Sequence, residues 1–106
     1  RASMRERGPV DLVMALALIH HLAIANNIPL EGIAASFAEL ANKLIVEFVP
    51  KTDSQVQRLL ASRADIFPDY TPEGFEQAFA GHFEIQKTEL IPGSQRILYL
   101  MQRRAS

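Results

Sequence analysis

The chain has 106 residues, of which 12 are Asp or Glu, 11 are Lys or Arg and 3 are His, so its formal net charge is −1. Hydrophobic residues make up 48% of the sequence, which excludes an intrinsically disordered protein and is typical of one globular domain. The absence of cysteine excludes a disulfide scaffold, thiol catalysis and cysteine-ligated zinc sites. Acidic and basic residues balance in both halves of the sequence, so no nucleic-acid-binding surface is predicted.

No segment of the sequence has the features of a membrane span or a signal peptide. The longest apolar stretch, residues 12–19, has eight residues, whereas about 20 are needed to cross a bilayer. The charged segment 1–7 leads into Gly8-Pro9 instead of an apolar region with a cleavage site. We therefore expect a cytoplasmic protein. The chain begins without an initiator methionine, which favours a fragment, and we expect a single partial domain with a poorly ordered lead-in over residues 1–8.

The first elements are predicted from an apolar run and the breaks that follow it. Residues 10–18 are apolar almost throughout, which predicts a strand buried on both faces, as in a parallel sheet. The Ala and Leu content of this run leaves a helix as the alternative. A short helix is expected over residues 20–25, and Asn26-Asn27 ends it.

A longer helix is predicted to begin at Pro29, which suits the first helical position. Its apolar residues recur at spacings of three and four as far as Ala41, which gives the helix one buried face. Residues 43–49 are rich in β-branched and aromatic types, so a second buried strand is predicted there, ended by Pro50.

Capping residues mark two further helices. Asp53 or Ser54 is the expected N-cap of a short helix, which is followed by a loop over residues 63–70. Thr71 is the expected N-cap of the next helix, which Gly81 ends.

The last two strands are predicted over residues 83–90 and 96–101, joined by a turn at residues 92–94 and paired as an antiparallel hairpin. The element order is therefore strand, helix, strand, helix, helix, strand, strand. This alternation predicts an α/β fold with parallel strands, a terminal antiparallel β-hairpin and helices on the sheet faces.

Four segments carry a resemblance to a known family: VDLVMALALIHHL at 10–22, KLIVEFVPKTD at 43–53, TPEGFEQAFAGHFEI at 71–85 and IPGSQRILYLMQRR at 91–104. They resemble the fourth strand, the fifth strand, the final helix and the terminal hairpin of a class I S-adenosylmethionine-dependent methyltransferase, which has a Rossmann-like sheet. The likeness is especially marked to a bacterial group related to nodulation proteins. It implies that the last strand inserts antiparallel beside its neighbours.

The resemblance implies S-adenosylmethionine as the cofactor of the parent protein. The family holds this cofactor with a glycine-rich turn after its first strand and an acidic residue after its second. The five glycines of this chain form no such cluster, so the resemblance implies a C-terminal fragment to which no cofactor binds on its own. Ala15, Leu16 and Ala17 match the stretch that passes beside the methionine end of the cofactor, and packing in the core is the alternative for them.

His20 and His21 follow the first predicted strand, at the sheet end where open α/β folds bind ligands. An imidazole pKa near 6.5 suits a general base, so a catalytic or substrate-binding role is expected for at least one of them. The alternative is that both are polar residues closing a turn. Adjacent positions point apart on a helix, and no other cluster has metal-ligand spacing, so no metal site is predicted.

Substrate-binding residues are expected in and after the second strand, at Glu47, Lys51, Asp53 and Tyr70. A buried carboxylate needs a partner, so Glu47 either reaches the pocket or pairs with Lys51 or an arginine. Lys51 and Asp53 match the loop in which the family often contacts its acceptor. Tyr70 and its neighbour Asp69 are expected in a pocket wall. Structural pairing and helix capping are the alternatives.

The expected function is the acceptor-side half of a methyltransferase, whose partner is the missing N-terminal half of the same domain. Without that half, one edge of the first strand would be exposed and would recruit another chain, which predicts a homodimer or higher oligomer. The alternative function is a stand-alone α/β interaction or dimerisation module without catalysis.

Overall fold

The structure, a computed structural model, describes residues 10–61 and 67–104. The expected lead-in at 1–8 and part of the expected loop, 63–66, lie outside this range. The described elements are, in chain order, β1 (Val10–Ala15), a π-helical turn (His21–Ala25), α1 (Leu30–Leu40), β2 (Ala41–Phe48), α2 (Ser54–Ala61), α3 (Pro72–Ala80), β3 (Phe83–Leu90) and β4 (Ile97–Arg103). The predicted α/β order is therefore confirmed.

β1 differs from the predicted first strand in length and in burial. It ends at Ala15, three residues early, because Ala17 has a left-handed backbone with φ 54° that interrupts extended structure. The helical alternative for this run is wrong. Burial on both faces is wrong too: Val13 packs against the core, whereas Leu12 and Met14 are 46% and 59% exposed, because α1 and α3 lie on the opposite face of the sheet.

Other boundaries shift by one or two residues. α1 begins at Leu30, and Pro29 is its N-cap instead of its first residue. The short helix predicted over 20–25 is a π-helical turn that begins at His21. β2 begins at Ala41, immediately after α1 and two residues earlier than predicted. β4 continues to Arg103 because its backbone pairs with β2 and β3 beyond the apolar run that defined the prediction.

Side-chain caps begin the last two helices as predicted. The Gln55 amide donates to Oδ1 of Asp53 at 2.9 Å, so Asp53, and not Ser54, caps α2. The Gly74 amide donates to Oγ1 of Thr71 at 3.0 Å at the start of α3. Both bonds satisfy backbone donors that have no partner within the first helical turn.

The four strands form one mixed sheet in the order β1-β2-β4-β3. β1 runs parallel to β2, with Met14 opposite Ile45, and β4 runs antiparallel to both of its neighbours. The predicted hairpin of β3 and β4 is confirmed. The last strand of the chain thus lies inside the sheet, between β2 and β3.

The core lies between the sheet and the helices α1 and α3. Alternate residues of β2 and β4 face these helices, and the aromatic rings of α3 fill the space between them. The ring centroid of Phe75 is 5.1 Å from Phe48, 4.4 Å from Phe79 and 5.0 Å from Tyr99. The Tyr99 hydroxyl donates to Glu76 at 2.7 Å, and burial raises the pKa of this phenol. These contacts fix β4 and α3 to each other.

Candidate functional site

The candidate site lies where β1 and β2 end, because parallel neighbouring strands present their carboxyl ends at the same end of the sheet. Three further segments meet there: the residues after β1, the beginning of α2, and the turn that leads into β4. Polar groups from these three segments and from β2 form one connected network, made of the backbone N–H of Ala17 and of His20, Glu47, Asp53, Gln55 and Arg96.

Glu47 connects β2 to the residues after β1. Its Oε1 accepts the backbone N–H of Ala17 at 2.7 Å. Ala17 has φ 54°, a left-handed conformation that costs an L-residue about 1–2 kcal/mol. A charge-assisted hydrogen bond to a residue in this conformation offsets part of that cost. Glu47 therefore stabilises the direction in which the chain leaves β1.

Arg96 connects the two carboxylates of the network. It donates twice to Asp53, from Nε at 2.8 Å and from Nη2 at 3.2 Å, and its Nη1 lies 3.7 Å from Oε1 of Glu47. The hydrogen bond from Arg96 is the main reason why the pKa of Asp53 is lowered. The same bond raises the pKa of the guanidinium. The network therefore carries two carboxylates and one guanidinium that neutralises them in part.

The two histidines differ in their surroundings. His20 is fully buried, and its Nε2 lies 3.1 Å from Oε1 of Gln55, whereas Nδ1 has no hydrogen-bond partner among the described residues. Burial, followed by the nearby His21, lowers the pKa of His20. His21 is exposed, and its ring centroid is 4.2 Å from that of His20. Of the two, only His21 presents its imidazole to a molecule in solution.

Tyr70 precedes α3 and Lys51 precedes α2. The Tyr70 hydroxyl donates to the carbonyl of Val49 at 2.5 Å, and burial raises the pKa of this phenol. Tyr70 and Asp69 line a cleft of about 440 Å³ between the beginning of α1 and the beginning of α3. The cleft is the size of a small-molecule pocket. Lys51 is partly exposed in the turn before α2, where its carbonyl accepts a hydrogen bond from Gln57.

The residues expected to contact S-adenosylmethionine differ in their surroundings. The side chain of Ala15 faces the core and is 3% exposed, and the N–H of Ala17 is bonded to Glu47. Leu16, at 51% exposure, presents an apolar surface instead. The glycine-rich turn and the ribose-binding carboxylate have no counterpart in the sequence. The absence of cofactor binding to the chain alone therefore stays a prediction.

Neither a metal-binding cluster nor a membrane-spanning helix is present in the described range. No three His, Asp or Glu side chains within residues 10–61 and 67–104 lie close enough together to hold a metal ion. None of the helices described is long and apolar enough to cross a membrane.

Arg96 and Gln55 are members of the network that the sequence did not predict. Glu47 was expected to pair with Lys51 or with an arginine, and the arginine is Arg96. Arg96 lies 43 positions after Asp53 in the sequence, so no local pattern joins them. The one available signal was an arginine directly before an apolar strand that pairs with the strand containing Glu47. Gln55 carried no signal.

Replacing Ala17 by glycine is expected to raise the free energy of unfolding by up to about 1 kcal/mol, because glycine adopts a left-handed backbone without the steric cost. Urea denaturation of the two proteins would measure the change. Ala35→Gly, in the middle of α1, is the matched control and should lower stability by about 0.5–1 kcal/mol. A loss of the same size at position 17 would contradict the expected relief of strain.

The buried His20 predicts a stability that decreases in mild acid. Its pKa is lowered in the folded protein, whereas the unfolded chain titrates near the ordinary value of about 6.5. As the pH falls through about 6.5, His20 becomes protonated in the unfolded state but stays neutral in the folded state. The free energy of unfolding therefore contains a contribution from the neutral His20 that is present above this pH and is lost below it. Urea denaturation between about pH 7.5 and pH 5.5 should show a smaller loss in His20→Gln than in the parent protein.

His82→Gln is the control for this experiment, because His82 lies far from the network and bonds to Glu31 of α1 at 3.0 Å. The part of the stability loss between about pH 7.5 and pH 5.5 that disappears in His20→Gln should still be present in His82→Gln. An unaltered pH dependence in His20→Gln would show that another group causes it.

The chain is similar to the nodulation protein NoeA of Rhizobium meliloti (strain 1021), with 47% identity over 103 residues. The matched region is 97% of this chain but 22% of NoeA, so the chain spans about a fifth of the length of this curated relative. No family model matches the chain. No solved structure matches it either.

Proposed function

We propose that the chain is the C-terminal part of an S-adenosylmethionine-dependent methyltransferase domain, and that this domain belongs to a longer cytoplasmic polypeptide of a nodulation-related group that includes NoeA. In this proposal the chain supplies the acceptor side of the active site. The likeness to about a fifth of NoeA supports the part of the proposal that concerns a longer polypeptide.

The observation that carries the proposal is the strand order β1-β2-β4-β3. The resemblance implied a terminal hairpin whose last strand inserts antiparallel beside its neighbours. β4 has this position, next to the parallel pair of β1 and β2. Because a last strand placed inside the sheet is a specific arrangement, it supports the family assignment more strongly than the α/β class alone.

The surroundings of each residue divide the expected site residues into two groups. His21 and Lys51 are exposed or partly exposed and can contact an acceptor, and the exposed Leu16 can contact the cofactor. The others serve the fold: Glu47 and Asp53 are bound to Arg96, and Tyr70 is bound to Val49. If the acceptor is protonated before transfer, His21 is the group that can take its proton, while the buried His20 is bonded to the side chain of Gln55.

S-adenosylmethionine would supply the methyl group, held mainly by residues outside this chain. The test is calorimetric titration with S-adenosylmethionine of the polypeptide encoded by the complete reading frame. We expect binding in the micromolar range, and no binding heat for the 106 residues alone. A longer polypeptide that does not bind would contradict the methyltransferase, and tight binding by the 106 residues alone would contradict the division of the site.

A tryptophan reporter in the polypeptide encoded by the complete reading frame, compared with that polypeptide without the substitution, locates the cofactor relative to this chain, which itself contains no tryptophan. In Leu16→Trp, addition of S-adenosylmethionine should change the indole fluorescence, because position 16 is exposed beside the expected methionine end. Leu90→Trp is the matched control: position 90 is 61% exposed but lies at the end of β3, on the far edge of the sheet. Equal responses at the two positions would contradict the placement.

A stand-alone interaction or dimerisation module is the second candidate, and the exposed side chains of Leu12 and Met14 favour it. Static light scattering of the 106 residues at micromolar concentrations, together with the cofactor titration of the polypeptide encoded by the complete reading frame, distinguishes the two. A stable dimer with no cofactor binding by the complete reading frame would support the module. A monomer at all concentrations would contradict dimerisation through β1.

A further inference from the structure

The two edges of the sheet are chemically different. β3, at one edge, has a register irregularity between Ile85 and Lys87, and charged side chains such as Glu84 and Glu89 are exposed along it. Irregularities and charges of this kind prevent an edge strand from pairing with another chain. β3 therefore has the properties of a strand that ends a sheet.

β1, at the other edge, has none of these properties. It pairs with β2 alone among the described strands, runs regularly, and has one charged residue, Asp11. Along one side of β1 and the residue after it, Leu12, Met14 and Leu16 are 46%, 59% and 51% exposed. Its sequence has the apolar composition of an interior strand, although it lies at an edge.

The apolar side chains of β1 continue across the sheet. On the face opposite α1 and α3, Met14 lies beside Ile45, and Ile45 lies beside Leu100. On the side of Leu100 that is nearer to β3, this row of apolar side chains is bordered by the long side chains of Lys87 and Glu89. The uncovered part of this face is therefore the part next to β1, so the free edge and the apolar face form one surface.

We propose that this surface, the outer edge of β1 together with the face formed by Leu12, Met14, Ile45 and Leu100, binds a parallel strand and the apolar side of a helix from the remainder of the same polypeptide. Parallel strands are normally covered by helices on both faces, whereas α1 and α3 cover one face here. About four fifths of NoeA lies outside the matched region, which leaves ample chain to supply both elements.

A second copy of the chain is the less favoured occupant. Pairing β1 with β1 of another copy leaves the apolar face beside it uncovered unless helices are exchanged. A strand and a helix that follow one another in the same polypeptide cover edge and face together, without the loss of translational freedom that association of two molecules requires. The inference rests on the longer polypeptide in the proposed function but not on methyl transfer.

Thiol labelling of the complete polypeptide tests the inference. Because these 106 residues contain no cysteine, any labelled peptide from them carries the introduced thiol of Met14→Cys or Leu90→Cys. Mass spectrometry of the peptides therefore measures labelling at each position separately. The two positions have nearly equal exposure in this structure, 59% and 61%. Relative to the polypeptide unfolded in urea, we expect labelling at position 14 to slow by about tenfold or more, and labelling at position 90 to remain fast.

Three results would overturn the inference: equally fast labelling at both positions, protection at position 14 that disappears on dilution and so identifies a second copy, or a reading frame that encodes no further domain. Leu12→Cys gives an independent reading on the same side of β1. Because the labelling requires no cofactor, protection without S-adenosylmethionine binding would contradict only the proposed methyltransferase. Binding without protection would contradict only this inference.

Discussion

Replacing Phe75 by alanine is expected to lower the free energy of unfolding by about 3–5 kcal/mol. The side chain of Phe75 is fully buried, and its ring contacts Phe48 of β2, Phe79 of α3 and Tyr99 of β4. Its removal leaves a cavity between α3 and the centre of the sheet that these rings cannot fill without moving the backbone. Since a domain has a total stability of about 5–15 kcal/mol, the loss should be visible as a large shift of the urea midpoint.

Two controls separate the cavity from a general effect of substitution. Phe75→Leu keeps part of the volume and should cost less than the alanine variant. Leu90→Ala removes an apolar side chain that is 61% exposed and should change stability by no more than about 0.5 kcal/mol. If Phe75→Ala and Leu90→Ala had similar urea midpoints, the aromatic cluster would not be the centre of the core.

The fold could be predicted from sequence where the signal is local. Asp53 and Thr71 cap helices because their side chains reach the backbone two or three residues later, and this pattern is visible in the sequence. The hairpin likewise depends on a turn between two neighbouring apolar runs. The end of β1 could not be predicted, because Ala17 has neither the flexibility of glycine nor the side chain of asparagine that normally signals a left-handed residue.

The burial of β1 could not be predicted for a different reason. A continuous apolar run indicates a strand in a doubly covered sheet, and this inference takes the covering elements for granted. In the described structure Leu12 and Met14 face away from α1 and α3. The apolar pattern of β1 therefore indicates a strand that is suited to burial on both faces. The described part of the chain covers one of these faces, with α1 and α3.

The candidate site could be predicted as a location but not as a network. The ends of β1 and β2 were identified from the general behaviour of parallel strands, and Glu47 from its position in an apolar strand. The partner of Glu47 and Asp53 depends on how β4 inserts into the sheet, which brings Arg96 to the carboxyl end of β2. Such long-range contacts follow from topology and leave no trace in residue spacing.

Removing the guanidinium of Arg96 is the second substitution with a large expected effect. Arg96→Met should lower the free energy of unfolding by about 3 kcal/mol, because it leaves the carboxylates of Glu47 and Asp53 close together without their cation. The side chains of Arg96, Glu47 and Asp53 are 21%, 10% and 14% exposed. Because water still reaches them in part, the expected loss is at the lower end of the range of about 3–5 kcal/mol for breaking a buried ion pair. Arg58→Met, in the exposed part of α2, is the control and should change stability by no more than about 0.5 kcal/mol.

The loss in Arg96→Met should depend on pH in a defined direction. The pKa of Asp53 is lowered in the folded parent protein, so this carboxylate contributes stability above its ordinary pKa and loses that contribution as the pH falls through the folded value. The difference between the parent protein and Arg96→Met should therefore be largest near neutral pH and should shrink below about pH 4. Urea denaturation at both pH values measures this difference.

A third variant shows what the network does for the site. Adding Glu47→Gln and Asp53→Asn to Arg96→Met removes the unpaired charges but keeps an acceptor for the Ala17 amide. If unpaired charge causes the loss, this triple variant should recover most of the stability, as uncharged replacements of buried ion networks do. If the loss persists, the bidentate bond itself holds the turn before β4 against α2, and Arg96 acts by joining these segments.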